Sequence, residues 1–126
     1  MDLSDLKPVE KTIQILHPAT SEETGVEVTL MSMEDSRMSK IRRQITDNNL
    51  SIEQKGKRLK AIDIEENLET LMFRSMVGWK WGGDSKFKGK KPPFNRANVL
   101  KVFAELPWFQ KQIEGAINDE AGFFPT

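Results

Sequence analysis

The stretch VGWKWGGDSKFKGKKPPF, residues 77–94, concentrates the side chains best suited to grip a ligand. Trp79, Trp81 and Phe87 are interleaved with lysines, and residues 80–91 hold five lysines against one aspartate, a local charge of +4. Aromatic rings stack on bases and ammonium groups neutralise phosphates, so this composition fits a nucleic acid. It also fits a protein partner, since aromatic and basic residues on a loop suit contact surfaces. A third reading is a solvated connector. Trp79 then continues an apolar helical stripe (positions 72, 75, 76, 79) into the core, and Trp81 lids the helix end. The balance favours the connector over the nucleic-acid grip, and Trp81 is the aromatic residue that the stripe does not explain. The run GGDSK is only superficially a phosphate loop. That loop needs G-x-x-x-x-G-K-[ST] between a strand and a helix, whereas the periodicity here predicts a helix before it.

Other reactive residues are isolated. His17 is the single histidine, placed before Pro18 with only Glu22 and Glu23 near it in sequence. One imidazole and scattered carboxylates make a poor metal set, so His17 reads as a plain loop residue. No cysteine is present, which removes disulfides, thiol nucleophiles and thiolate metal sites. No serine lies in a G-x-S-x-G context. Glu65, Glu66 and Glu69 fall on one face of a predicted helix among lysines, where carboxylates form i, i+4 pairs. The expectation is a protein without catalytic residues, metal ligands or cofactors, and not an enzyme.

Bulk properties agree. The 126 residues suggest one domain, and 19 basic residues balance 19 acidic ones. A net charge near zero disfavours a general nucleic-acid or membrane binder and leaves only a local patch for that role. No apolar run approaches the ~20 residues that span a bilayer. The first residues, MDLSDLKPVEK, lack the apolar core of a signal peptide, so a cytosolic setting is expected.

The elements that must position these residues follow from periodicity. Residues 1–10 read as a flexible arm. TIQIL (12–16) and VEVTL (26–30) alternate apolar and polar at period two, which predicts two strands of a hairpin over residues 11–31, joined by the polar loop HPATSEETG. The period then lengthens. Met38, Ile41 and Ile45 share a helix face started by Ser32 or Asp35 and ended by Asp47–Asn49. Ser51 and Gln54 form a capping box for a second helix, predicted over about 52–78, with Gly56 as its weak point and Ala61, Ile64, Leu68, Leu71, Met72, Ser75 and Met76 as its stripe. Together these helices occupy residues 33–79. Residues 80–93 connect them to two further helices over 94–120. Asn95 caps the first, which turns Val99, Val102, Phe103 and Leu106 inward. Pro107 starts the second, with Phe109, Ile113, Ala116 and Ile117 inward. Residues 121–126 form a tail. The fold class is α+β, mainly α: an N-terminal β-hairpin followed by about four helices.

The hairpin reads strand, H-P-A-T, polar loop, G-V-x-V-x-L. Charged helices then lead to a tryptophan–glycine stretch, and the chain closes on NVLKVFAELPWFQKQIEGAINDEAGFF. This order resembles the tail assembly chaperones of long-tailed (siphovirus-type) bacteriophages and prophages. The residues that carry the resemblance are Trp79, Phe94, Asn98, Val99, Leu106, Pro107, Trp108, Ile113 and Phe123. The resemblance implies a non-enzymatic protein of the host bacterial cytoplasm, absent from the mature virion. It implies binding to the tape-measure protein, recruitment of the major tail-tube protein, and self-association into an oligomer, with no membrane or nucleic-acid partner. Candidate partner-binding residues are Trp81, Phe87, Lys88 and Lys90 in the loop, and Phe123 and Phe124 in a tail too short to suggest a core role. Met31, Met33 and Met38 add adaptable apolar surface, while Met72 and Met76 read as core. The alternative function is a small nucleic-acid-binding or regulatory protein using residues 80–91.

Overall fold

The computed structural model describes residues 1–54, 56 and 61–124, and the side chains of all of these except 61–66. Among the described residues are four α-helices and a three-stranded antiparallel sheet of order β1-β2-β3, so the class is α+β, mainly α, with a β-hairpin near the N-terminus. Strands β1 (Lys11–Leu16) and β2 (Glu23–Leu30) are the predicted hairpin. Their alternation sorts the two faces. Ile15, Val26, Val28 and Leu30 are buried. On the opposite face, Thr12 pairs with Thr29 and Gln14 with Glu27 through hydrogen bonds of 2.9 and 2.7 Å.

The third strand corrects the sequence reading. Residues Met76–Trp81 form β3, antiparallel to β2, where a helix end was expected. Trp79 stands opposite Val28, Lys80 opposite Glu27 and Trp81 opposite Val26. The spacing 72, 75, 76, 79 satisfies a helical stripe, but WKW also alternates at period two. Gly78 inside a helix would cost roughly 1 kcal/mol relative to alanine. Pairing instead satisfies the free edge of β2, which would otherwise leave backbone groups unbonded. Helix α2 therefore stops at Ser75 (Ala61–Ser75).

Helix α1 is a second correction. It runs unbroken over Ser36–Gln54, through Asp47–Asn49 and past Ser51, so the capping box is not used. Asp and Asn cost only about 0.6 kcal/mol each in a helix interior, and packing overrides that. Asn67 of α2 donates to Asn49 Oδ1 at 3.0 Å, which makes the supposed stop a helix–helix contact. Gly56 follows with φ of +74°, a left-handed geometry that glycine accepts readily. The start matches expectation. Asp35 Oδ1 accepts from the Arg37 backbone N–H at 2.9 Å; Met31 and Met38, expected to add apolar surface, are instead buried. The Arg37 guanidinium hydrogen-bonded to it holds the Asp35 carboxyl below its usual range.

Helices α3 (Arg96–Glu105) and α4 (Pro107–Asn118) lie where predicted. Asn95 Oδ1 accepts from Asn98 N–H at 2.8 Å as the N-cap of α3. Val99, Val102 and Phe103 of α3, and Phe109, Ile113 and Ile117 of α4, are buried in one core with the inner sheet face, Met72 and Met76. The hairpin gains a neighbour on one side. β2 is the central strand, and Gln112 of α4 exchanges two 2.8 Å hydrogen bonds with the backbone of Leu16 at the β1 edge.

Candidate functional site

Each sequence-predicted contact residue can be placed. Trp81 is half-buried and stacks on Phe109 with centroids 6.2 Å apart and planes at 12°. Phe87 leans on Trp81 at 6.4 Å. Trp79 meets Phe94 edge-on at 5.8 Å and Phe109 at 6.4 Å, and its Nε1–H donates to Pro92 O at 2.9 Å. The expected lid is therefore the rim of one aromatic cluster, each ring using its faces or edges on other rings. The Trp81 Nε1–H is buried without a partner, the sole such side-chain group among the described residues.

The lysine loop is tied down rather than free. Phe87 and Lys90 exchange backbone hydrogen bonds of 2.7 and 3.1 Å across a tight turn. Lys88 and Gly89 hold that turn at φ of +52° and +76°, the left-handed pair of a type I′ turn. Lys88 pairs with Glu105 of α3. Lys91 Nζ donates to the carbonyls of Trp81 and Gly83 at 3.0 and 2.7 Å. Lys90 is exposed and lines a shallow pocket with Phe87, Pro92, Pro93 and Lys101. What precedes the glycines is a strand, but the phosphate-loop spacing is still missing and no helix starts before Arg96.

The terminal phenylalanines correct a prediction. Phe123 is fully buried, with its backbone carbonyl accepting from Val9 N–H at 2.7 Å and Lys11 Nζ 4.5 Å above its ring. A short 3-10 turn, Glu120–Phe123, folds it back under the sheet. Phe124 is half-buried against the same core. The pair closes the core instead of offering a patch. His17 is likewise local: its Nδ1 accepts from the Ala19 and Thr20 N–H groups at 3.1 and 3.2 Å.

The surface that sequence reasoning missed lies between α2 and α4. Leu68, Leu71 and Met72 form one i, i+3, i+4 ridge of α2, and Gln110, Glu114 and Ile117 one i, i+4, i+7 ridge of α4. Between them is a groove of about 260 Å³, closed at one side by Met33. Met72 and Ile117 are its buried floor, and Leu68, 58% exposed, is its open wall. Glu69 and Glu114 stand at its rim. The stripe assigned Leu68 to the core. Only the packing of α2 against α4 shows that Leu68 stays exposed among the described residues.

Among the described residues no group of carboxylates and histidine is placed to hold a metal ion, and no helix is long and apolar enough to cross a membrane. No family model matches the chain, and neither does any curated protein or solved structure.

Proposed function

We propose that this chain is a tail assembly chaperone of a long-tailed bacteriophage or prophage. It binds the tape-measure protein without catalysis, keeps it from aggregating in the host cytoplasm, and helps recruit tail-tube subunits. The observation that carries the reading is the α2–α4 groove. A chaperone for a long helical client needs an apolar trough with a polar rim, and this trough has an apolar floor, two adaptable methionines and a protruding leucine. The order of hairpin, helices and aromatic C-terminal segment supports it through the resemblance. Trp79, Phe94, Val99, Leu106, Trp108, Ile113 and Phe123, most of the residues that carry the resemblance, all pack in or against one core. They maintain the fold and leave client binding to other surfaces. The nucleic-acid alternative is weakened by the same packing. Trp79 and Trp81 pack on one another and on Phe109, which leaves only Phe87, itself leaning on Trp81, beside the lysines of the shallow pocket.

The test is co-expression with a fragment of a phage tape-measure protein. The fragment is expected in the soluble fraction with the wild-type chain and in the pellet with Leu68→Glu. Equal aggregation with and without the wild-type chain overturns the reading.

A further inference from the structure

The charge around the groove says more than its apolar floor. Its two helical walls present ridges to one gap, the arrangement into which a third helix packs. The α4 wall runs from Gln110 to Asn118, about 12 Å at 1.5 Å per residue, which accommodates roughly two turns of an incoming helix. Glu69 stands on one wall and Glu114 on the other, and among the described residues no lysine or arginine lines the groove. Among the described residues neither glutamate takes part in an ion pair. A helix seated on Leu68 and Ile117 would thus have a carboxylate beside each flank of its apolar stripe.

We infer that the α2–α4 groove takes an amphipathic helix whose apolar stripe is bordered on both sides by lysine or arginine, and rejects one bordered by acidic residues. This deepens, and rests on, the reading of the groove as a client site. Opposite charges at a rim steer encounter and choose between partners, while the apolar stripe supplies most of the affinity.

The experiment uses the full chain and two labelled synthetic peptides of about 18 residues, long enough to be helical. Both have the same leucine stripe. One has lysine flanks, the other glutamate flanks. Fluorescence anisotropy is expected to give about tenfold tighter binding of the lysine peptide at low salt, with the gap narrowing at high salt. The double variant Glu69→Lys, Glu114→Lys should reverse the preference while its thermal unfolding matches the wild type. Equal affinities, or a preference that the double variant leaves unaltered, overturn the inference. So does a dimer of the chain that Glu114→Lys dissolves, because the groove would then belong to a second copy. The two readings fail separately. Lysine-peptide binding without solubilisation of the tape-measure fragment sinks the function and leaves the inference. Solubilisation without charge preference does the reverse.

Discussion

Trp81 and Leu68 are large apolar side chains on consecutive elements, and they meet opposite surroundings. Trp81 lies on Phe109 with ring planes at 12° and is flanked by Trp79 and Phe87. Leu68 keeps 58% of its surface in contact with solvent. The difference is one of neighbours. Around Trp81 the sheet face, the start of α4 and the folded-back lysine loop converge from different directions. Around Leu68 the walls of α2 and α4 leave a groove that no other described residue than Met33 lines. The region composed like a binding loop is therefore tethered against the core through its aromatic residues, and the region composed like a core stripe keeps an open surface at Leu68. A basic, aromatic loop owes its charge here to solvation and tethering: Lys88 holds Glu105, and Lys91 holds the Trp81 carbonyl.

The comparison can be broken at several points. The strongest is Phe109→Ala. Phe109 is 1% exposed and touches Trp79, Trp81, Phe103 and Trp108, so a loss of about 3–5 kcal/mol is expected in denaturant unfolding. A loss below about 1 kcal/mol would mean that the aromatic cluster is not the core. Next is Gly25→Ala. At φ of +93° an added Cβ would lie 2.7 Å from the Gly82 carbonyl, so β2 and the start of the lysine loop would have to separate. About 2 kcal/mol should be lost, read as a lower thermal midpoint. Lys88→Gly is expected to act in the other direction by about 0.5 kcal/mol. It relieves a left-handed non-glycine residue, and the exposed ion pair it removes is worth little. Clear destabilisation there would give the loop a contact role that its geometry does not show. Leu68→Ala sharpens the other side. Stability should change by less than about 0.5 kcal/mol while binding of the lysine-flanked peptide falls.

The smallest expected effect lies outside both regions. The Asp35 carboxyl is lowered in the folded chain by its hydrogen bond to the Arg37 side chain. A lowered folded value stabilises above the unfolded carboxylate range, and that contribution disappears as pH falls through it. Asp35→Asn should lower stability slightly near neutrality, where the carboxylate contributes, leave it unchanged at low pH, and so flatten the acid limb of a stability–pH curve.

Legibility varied with the locality of the signal. Asn95 and Pro107 marked the starts of α3 and α4 because caps and proline geometry act within one turn. The hairpin was equally clear from alternation over a few residues. Misreadings came where two local patterns were both satisfied. Residues 72–79 fit a helical stripe, residues 76–81 fit a strand, and the free edge of β2 decided between them. Asp47–Asn49 resembled a stop until Asn67 supplied a partner across the helix pair. Of the candidate site residues, Lys90 lies exposed as expected. Phe123 was misjudged because nothing near it in sequence announces the sheet under which it folds.

The sequence by itself determined the hairpin, α3 and α4 with their inward faces, the absence of thiol chemistry and the α+β class, since these depend on residue type and short spacing. Tertiary structure decided which apolar residues find partners. Burial is a property of several elements meeting at once, and the same spacing that makes a helix amphipathic cannot say whether its apolar stripe will be covered along its whole length. That is why α2 keeps Leu68 open while β3, a few residues later, packs Trp81 against the core.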